Sequence, residues 1–169
     1  MKTSGLYGKY RGTVVSNIDP EGIGRLQVAI VHDGGTVPLS SYATPCLPMT
    51  GVEQGILAIP TTGSGVWIEF EEGDIDRPIW VGGFYGSRLD VPKTSMFTQP
   101  PLGQITLATL TGAGIHISDN PAIGIVIKTG TAVVMINTQG ILISNGAGAT
   151  ITMVGKIIDL NQAALTVGP

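Results

Sequence analysis

From Gln104 to Pro169 the chain repeats one short phrase: two or three β-branched or aliphatic residues, then a turn of small residues. The phrase reads Ile105-Thr-Leu, Ile115-His-Ile, Ile125-Val-Ile, Val133-Val-Met-Ile, Ile141-Leu-Ile, Ile151-Thr-Met, Ile157-Ile-Asp-Leu and Leu165-Thr-Val. Its starts lie roughly eight to ten residues apart, a period of one strand and one turn. Repeated this often, it specifies a stacked β-structure and not a packed globule. Such a stack leaves little room for an active site and has a large capacity for stiffness.

The same stretch contains no Phe, Tyr or Trp, and its only charged residues are Asp119, Lys128, Lys156 and Asp159. Its core must therefore be built from Ile, Val, Leu, Met and Ala. A coil closed by one chain needs about twenty residues per turn, so these units are too short to cover their own apolar side. Three chains winding together complete a triangular coil, with each chain giving one side of every layer. The expected core of this homotrimer is Ile115, Ile117, Ile125, Ile127, Ile141, Ile143, Ile151, Met153, Ile158 and Leu160, with His116, Leu142 and Asp159 pointing outward. Gly112, Gly114, Gly124, Gly130, Gly140, Gly146 and Gly155 fall at or near corners where positive φ is expected. Asn120, Asn137, Asn145 and Asn161 suit the same corners, by tolerating the left-handed conformation or by bonding to the backbone. About eight layers give a prism on the order of 40 Å long.

The first half has a different composition. All nine aromatic residues lie between Tyr7 and Phe97, with most of the charge. Tyr10 to Ser16 is β-rich and ends in a turn carrying Asp19, Pro20, Gly22 and Gly24. Leu26, Val28 and Ile30 then alternate onto one face, as do Val66, Ile68 and Phe70 opposite Trp67 and Glu69. A loop is expected from His32 to Val37 and a short strand within Ser41 to Leu47. Ile79 to Phe84 closes a hairpin, and the Gly82-Gly83 pair permits a sharp bend. About five strands with no helical periodicity fit a five-stranded Greek-key barrel of the OB type.

The fold class is therefore all-β, an N-terminal OB barrel followed by an intertwined trimeric β-helix prism. The expected divisions are an arm over residues 1–9, the OB domain over 10–86, a linker over 87–104 and the spike over 105–169.

Few residues suggest chemistry. Asp74 and Asp76 sit two apart, but a calcium loop needs further oxygen ligands and a terminal Glu. Gly73, Asp74, Asp76, Arg77 and Pro78 are read as a structural turn, capped by an Asp, with Arg77 pairing locally. The Asp19 to Arg25 turn has the same reading. Cys46 is the only cysteine, so no intrachain disulfide forms, and it is expected to be a small half-buried residue. His116 is expected to be solvated, and it has no spacing to His32 that would make a metal pair. No catalytic residue, cofactor or metal site is expected. A net charge of −3 and no basic run argue against nucleic acid. No stretch has the length of a signal peptide or a membrane span, so the chain is expected to be made in the cytoplasm.

One set of residues is specific enough to suggest kinship. Asp19-Pro-x-x-x-Gly24-Arg25-Leu-x-Val is followed by Pro60-x-x-Gly63-x-x-Val66-x-Ile-x-Phe70-x-x-Gly73-Asp-x-Asp76-Arg77-Pro78-x-x-x-Gly82. This resembles the OB domain of the central spike of contractile tails, the group of phage baseplate assembly protein V, the cell-puncturing spike and the VgrG spike of type VI secretion. The resemblance covers about residues 10 to 86. It implies a trimeric β-helix after the OB domain, a baseplate hub protein at the OB end, and transient contact with a target cell envelope. It also implies a separate PAAR-like tip protein on the C-terminal end, where Leu165, Val167 and Pro169 leave an uncapped apolar layer. Neither an inserted lysozyme domain nor a fused hub domain is expected. The family's His-x-His metal apex has no counterpart, since His116-Ile-Ser118 lies about fifty residues before the end.

Three function classes follow. The leading one is a structural spike, part of a tail or injection particle, driven through an envelope when a sheath contracts. An alternative is an OB-type binding module for nucleic acid or carbohydrate, with Trp67, Trp80, Phe84 and Tyr85 stacking on rings, though a basic groove is missing. An enzyme needs converging acids or nucleophiles, and the repeats offer only Asp119 and Asp159.

Overall fold

The computed structural model describes residues 5–93, 102–162 and 164–168. The chain divides into two compact units, Met1–Arg88 and Leu89–Pro169. Both are β-structures.

The first unit contains β1 (Tyr10–Ser16), β2 (Gln27–His32), β3 (Gly35–Pro38), β4 (Thr44–Pro45), β5 (Thr50–Gly51), β6 (Gln54–Gly55), β7 (Gly65–Phe70) and β8 (Pro78–Phe84). Six of them form one sheet in the order β3-β2-β1-β7-β8-β4, and β5 pairs with β6 in a small separate hairpin. The β4–β8 pair is parallel and the other pairs are antiparallel. Just before β4, Ala43 exchanges two backbone hydrogen bonds with Leu26, at 2.8 and 3.0 Å, at the foot of β2. A path of hydrogen bonds thus runs from β2 through β1, β7, β8 and β4 back to β2.

That path encloses the core. Val14, Leu26, Val28, Ile30, Ala43, Val66, Ile68, Phe70 and Trp80 are buried together. Strand alternation accounts for most of this list: every second residue of β2 and β7 faces inward. Trp80 is also inside, and its indole Nε1 donates to the Gly24 carbonyl at 3.0 Å. Opposite the ladder step from Trp67 to Ile68, the register of β8 skips from Gly82 to Trp80. Gly82 has φ +145° at this bulge, a conformation that an L side chain resists.

One local expectation changes. The stretch from His32 to Val37 is not a loop: β2 turns at Asp33-Gly34 and returns as β3. Asp33 has φ 48° and Gly34 φ 77°, the two positive values of a tight hairpin turn. The short strand expected within Ser41 to Leu47 is present as the two-residue β4, cut short at Pro45, which cannot donate to a ladder.

The second unit is simpler. It contains β9 (Gln104–Ala108), β10 (Gly114–Ser118), β11 (Ile125–Thr129), β12 (Ala132–Asn137), β13 (Gly140–Ser144), β14 (Thr150–Val154), β15 (Ile157–Leu160) and β16 (Leu165–Val167). They form one antiparallel sheet in strict sequence order, each strand bonded only to its neighbours in the chain. Short turns enforce that order. Gly130 and Gly155, at φ 56° and 58°, open two-residue hairpins into Ala132 and Ile157. Gly114 differs from the other corner glycines. It lies inside β10, where a Cβ would come within 2.1 Å of the Leu107 carbonyl oxygen, so it is required for close approach and not for positive φ.

Candidate trimerisation face

An antiparallel ladder places opposed residues on the same face, so registers decide which side chains line up. Across the second unit they align into two rows. One runs Leu107, Ile115, Ile127, Val134, Ile143, Ile151, Leu160, Leu165; the other runs Ile105, Ile117, Ile125, Ile136, Ile141, Met153, Ile158, Val167. Every position is aliphatic. All ten residues predicted as trimer core lie in these rows, together with Ile105, Leu107, Val134 and Ile136, which the sequence reading left out. For Val134 and Ile136 the signal was present in Val133-Val-Met-Ile, but four apolar residues in succession hide the period of two.

The face is exposed within the single chain. Ile125 retains 37% of its surface, Ile127 45% and Leu107 65%. A shallow open depression on it is lined by Ile115, Ile127, Val134 and Ile143, among others. Burying the rest of one such side chain contributes about 1–2 kcal/mol at the usual 25 cal/mol per Å². An unbroken aliphatic strip of this size calls for a partner.

The corners hold the sheet's shape through local hydrogen bonds. Asn120 Oδ1 accepts from the Ala122 amide, Asn137 Oδ1 from Gln139 and Gly140, Asn145 Oδ1 from Ala147 and Ala149, and Asn161 Oδ1 from Thr150. Turns on the same edge are tied together as well: Asn137 Nδ2 donates to Ala122 O, and Thr138 Oγ1 to Pro121 O.

On the other face, the expected solvated histidine is corrected. His116 lies opposite the two aliphatic rows, but it is only 3% exposed, and its Nδ1 shares a 2.7 Å hydrogen bond with Thr106 Oγ1. Thr106 is its cross-strand partner, and the hydrogen bond between them meets the polar demand of a ring withdrawn from water. Leu165 and Val167 stand exposed on β16, the last strand of the sheet. Pro169 lies outside the described residues.

The turn residues of the first unit form a connected arrangement. Asp74 Oδ1 accepts from the Asp76 amide at 3.0 Å, and Arg77 pairs with Glu71 at 2.6 Å. Gly73, at φ +78°, is buried, its carbonyl accepts from the Leu6 amide, and a Cβ there would strike the Tyr7 ring. Pro78 begins β8. Among the described residues no group of three His, Cys, Asp or Glu could hold a metal ion.

The ring-stacking set does not survive intact. Trp80 is a core residue, while Trp67 and Phe84 pack on each other with the Arg11 guanidinium about 5 Å from both rings. Other cations are already engaged: Lys9 with Glu69, and Arg25 with Asp19 and Glu21. Cys46 is exposed, not half-buried.

Two family models match the chain. Residues 10–85 match the type VI secretion system/phage-baseplate injector OB domain, and residues 104–166 match the phage baseplate V C-terminal trimerisation domain. The chain belongs to the phage baseplate V family. Among curated proteins none matches it. Membership makes the chain a spike-type structural component of a phage baseplate or type VI secretion apparatus, and a homotrimer through its C-terminal region. The OB domain and the strand repeat were both legible from motif and period.

Proposed function

We propose that the protein is the central spike of a contractile injection particle, mounted on a baseplate hub through its OB domain and driven through a target envelope when the sheath contracts. The observation carrying this reading is the pair of aliphatic rows spanning all eight strands of one sheet face. Three copies packing these faces together make a dry triangular core of Ile115, Ile117, Ile125, Ile127, Ile141, Ile143, Ile151, Met153, Ile158 and Leu160, extended by Val134 and Ile136. Backbone hydrogen bonds run along the stack, so stiffness follows from the ladder and no catalysis is required. The spike works as part of the particle. The turn of Gly73, Asp74, Asp76, Arg77 and Pro78 holds the hairpin of the OB domain.

Native mass in solution is the direct test. The parent chain should have the mass of three copies, and the double variant Ile127→Glu, Ile143→Glu should have the mass of one. A monomeric parent, or a trimeric variant, overturns the proposal.

Toward the C-terminal end, Leu165 and Val167 present exposed apolar side chains on β16, the last strand of the sheet among the described residues, a surface suited to a PAAR-like tip protein. Deleting residues 165–169 should abolish recruitment of such a tip. Unchanged recruitment refutes this contact.

A further inference from the structure

The first unit carries an apolar patch that its own core does not use. Ile18 and Ile23, from the loop after β1, are 76% and 52% exposed, and Leu57, from the segment before β7, is 59% exposed. These two stretches lie side by side: a Cβ on Gly24 would come 3.0 Å from Ile59 Cδ1 and 3.1 Å from Leu57 Cδ1, and Asn17 Nδ2 donates to Pro60 O at 3.1 Å. The loop is held in place. Asp19 accepts from the amides of Glu21, Ile23 and Arg25 and binds the Arg25 guanidinium, which also pairs with Glu21. A rigid loop presenting aliphatic side chains is already organised for binding, so little ordering entropy opposes association.

We propose that this patch is an interface between the OB units of neighbouring copies within the trimer. The inference rests on the trimeric reading of the C-terminal unit. Two observations favour a second copy as the occupant. The trimerisation domain begins at residue 104, some fifteen residues after the first unit ends at Arg88, so three OB units are tethered at millimolar effective concentration. A modest apolar contact then suffices. The charges of the loop largely cancel, because Arg25 pairs with both Asp19 and Glu21 and leaves a net of one negative charge, a small repulsion between tethered copies. In a three-membered ring the contact is heterologous, and the patch meets a different surface of its neighbour.

The test is site-specific photo-crosslinking in the purified full-length protein, with p-benzoylphenylalanine placed at Leu57 and, as a control, at Asp33 on the exposed β2–β3 turn. Native mass is measured on the same samples. The expected result is a trimer in which position 57 gives interchain adducts mapping to residues 10–85 of another copy, with position 33 at background. A trimer with no interchain adduct from 57 overturns this inference and leaves the spike reading intact. So do adducts that form only when a baseplate partner is added, which assign the patch to that partner. A parent chain with the mass of one copy overturns the spike reading first, and this inference with it. As a second variant, Ile23→Glu in the probe-bearing chain should remove the adduct while the mass stays at three copies. An undiminished adduct counts against the patch.

Discussion

Asp19 and Arg25 are joined twice through one oxygen: Arg25 Nη2 lies 2.8 Å and Nε 3.0 Å from Asp19 Oδ1. The guanidinium, with the amides of Arg25, Glu21 and Ile23, holds the Asp19 carboxyl well below the usual carboxylate range, although desolvation works the other way. A depressed folded-state pKa contributes stability above the unfolded value of about 4 and loses it as pH falls toward the folded value. Denaturant midpoints measured at pH 7, 4 and 2 should therefore decline for the parent below pH 4. Asp19→Asn should be less stable than the parent at pH 7 and show a shallower decline over the acid range. Parallel acid limbs for the two proteins would contradict the assignment.

Trp80 joins the core of the OB unit to the loop that carries Gly24. Replacing it with Phe keeps an aromatic ring but leaves the Gly24 carbonyl without its donor, at a cost of about 1–3 kcal/mol. Chemical unfolding followed by the remaining Trp67 fluorescence should register this loss. A change of a few tenths would show that the hydrogen bond is dispensable.

One residue step separates the two faces of the C-terminal sheet. Ile151 sits between Ile143 and Leu160 in an aliphatic row, whereas Thr152 lies opposite Asp159 on the other face. Ile151→Lys should dissociate the trimer. Thr152→Lys, placed across from a carboxylate, should leave its mass and melting temperature nearly unchanged. Equal effects from the two would mean that the register does not define the assembly face.

Two corner glycines should respond oppositely to substitution. Gly140 has φ +151°, and a Cβ there would come within 2.1 Å of the Met153 carbonyl oxygen. Gly140→Ala is expected to cost at least the 1–3 kcal/mol of a strained backbone position. Gly130 has φ +56° and open space around it, so Gly130→Asn should be tolerated. Melting temperatures of the two variants give the comparison.

The sequence by itself determined the class of structure and the face that matters. Alternation is a property of the strand, so the phrase Ile-x-Ile placed its isoleucines together before any pairing was known. The same holds for Leu26, Val28 and Ile30 and for Val66, Ile68 and Phe70. Much of the corner chemistry was equally local, since positive φ belongs to single residues and the Asn120 and Asn145 side chains bond to amides two to four positions on.

Only the tertiary structure decided which strands are neighbours and what lies beneath what. It paired Leu26 with Ala43, drew Trp80 into the core against Gly24, set His116 against Thr106 out of solvent, and brought Leu57 beside Gly24. Each of these depends on separate segments of the chain meeting in a register or at a distance that no local pattern encodes. Burial is a sum over neighbours, and the chain fixes those neighbours only by folding.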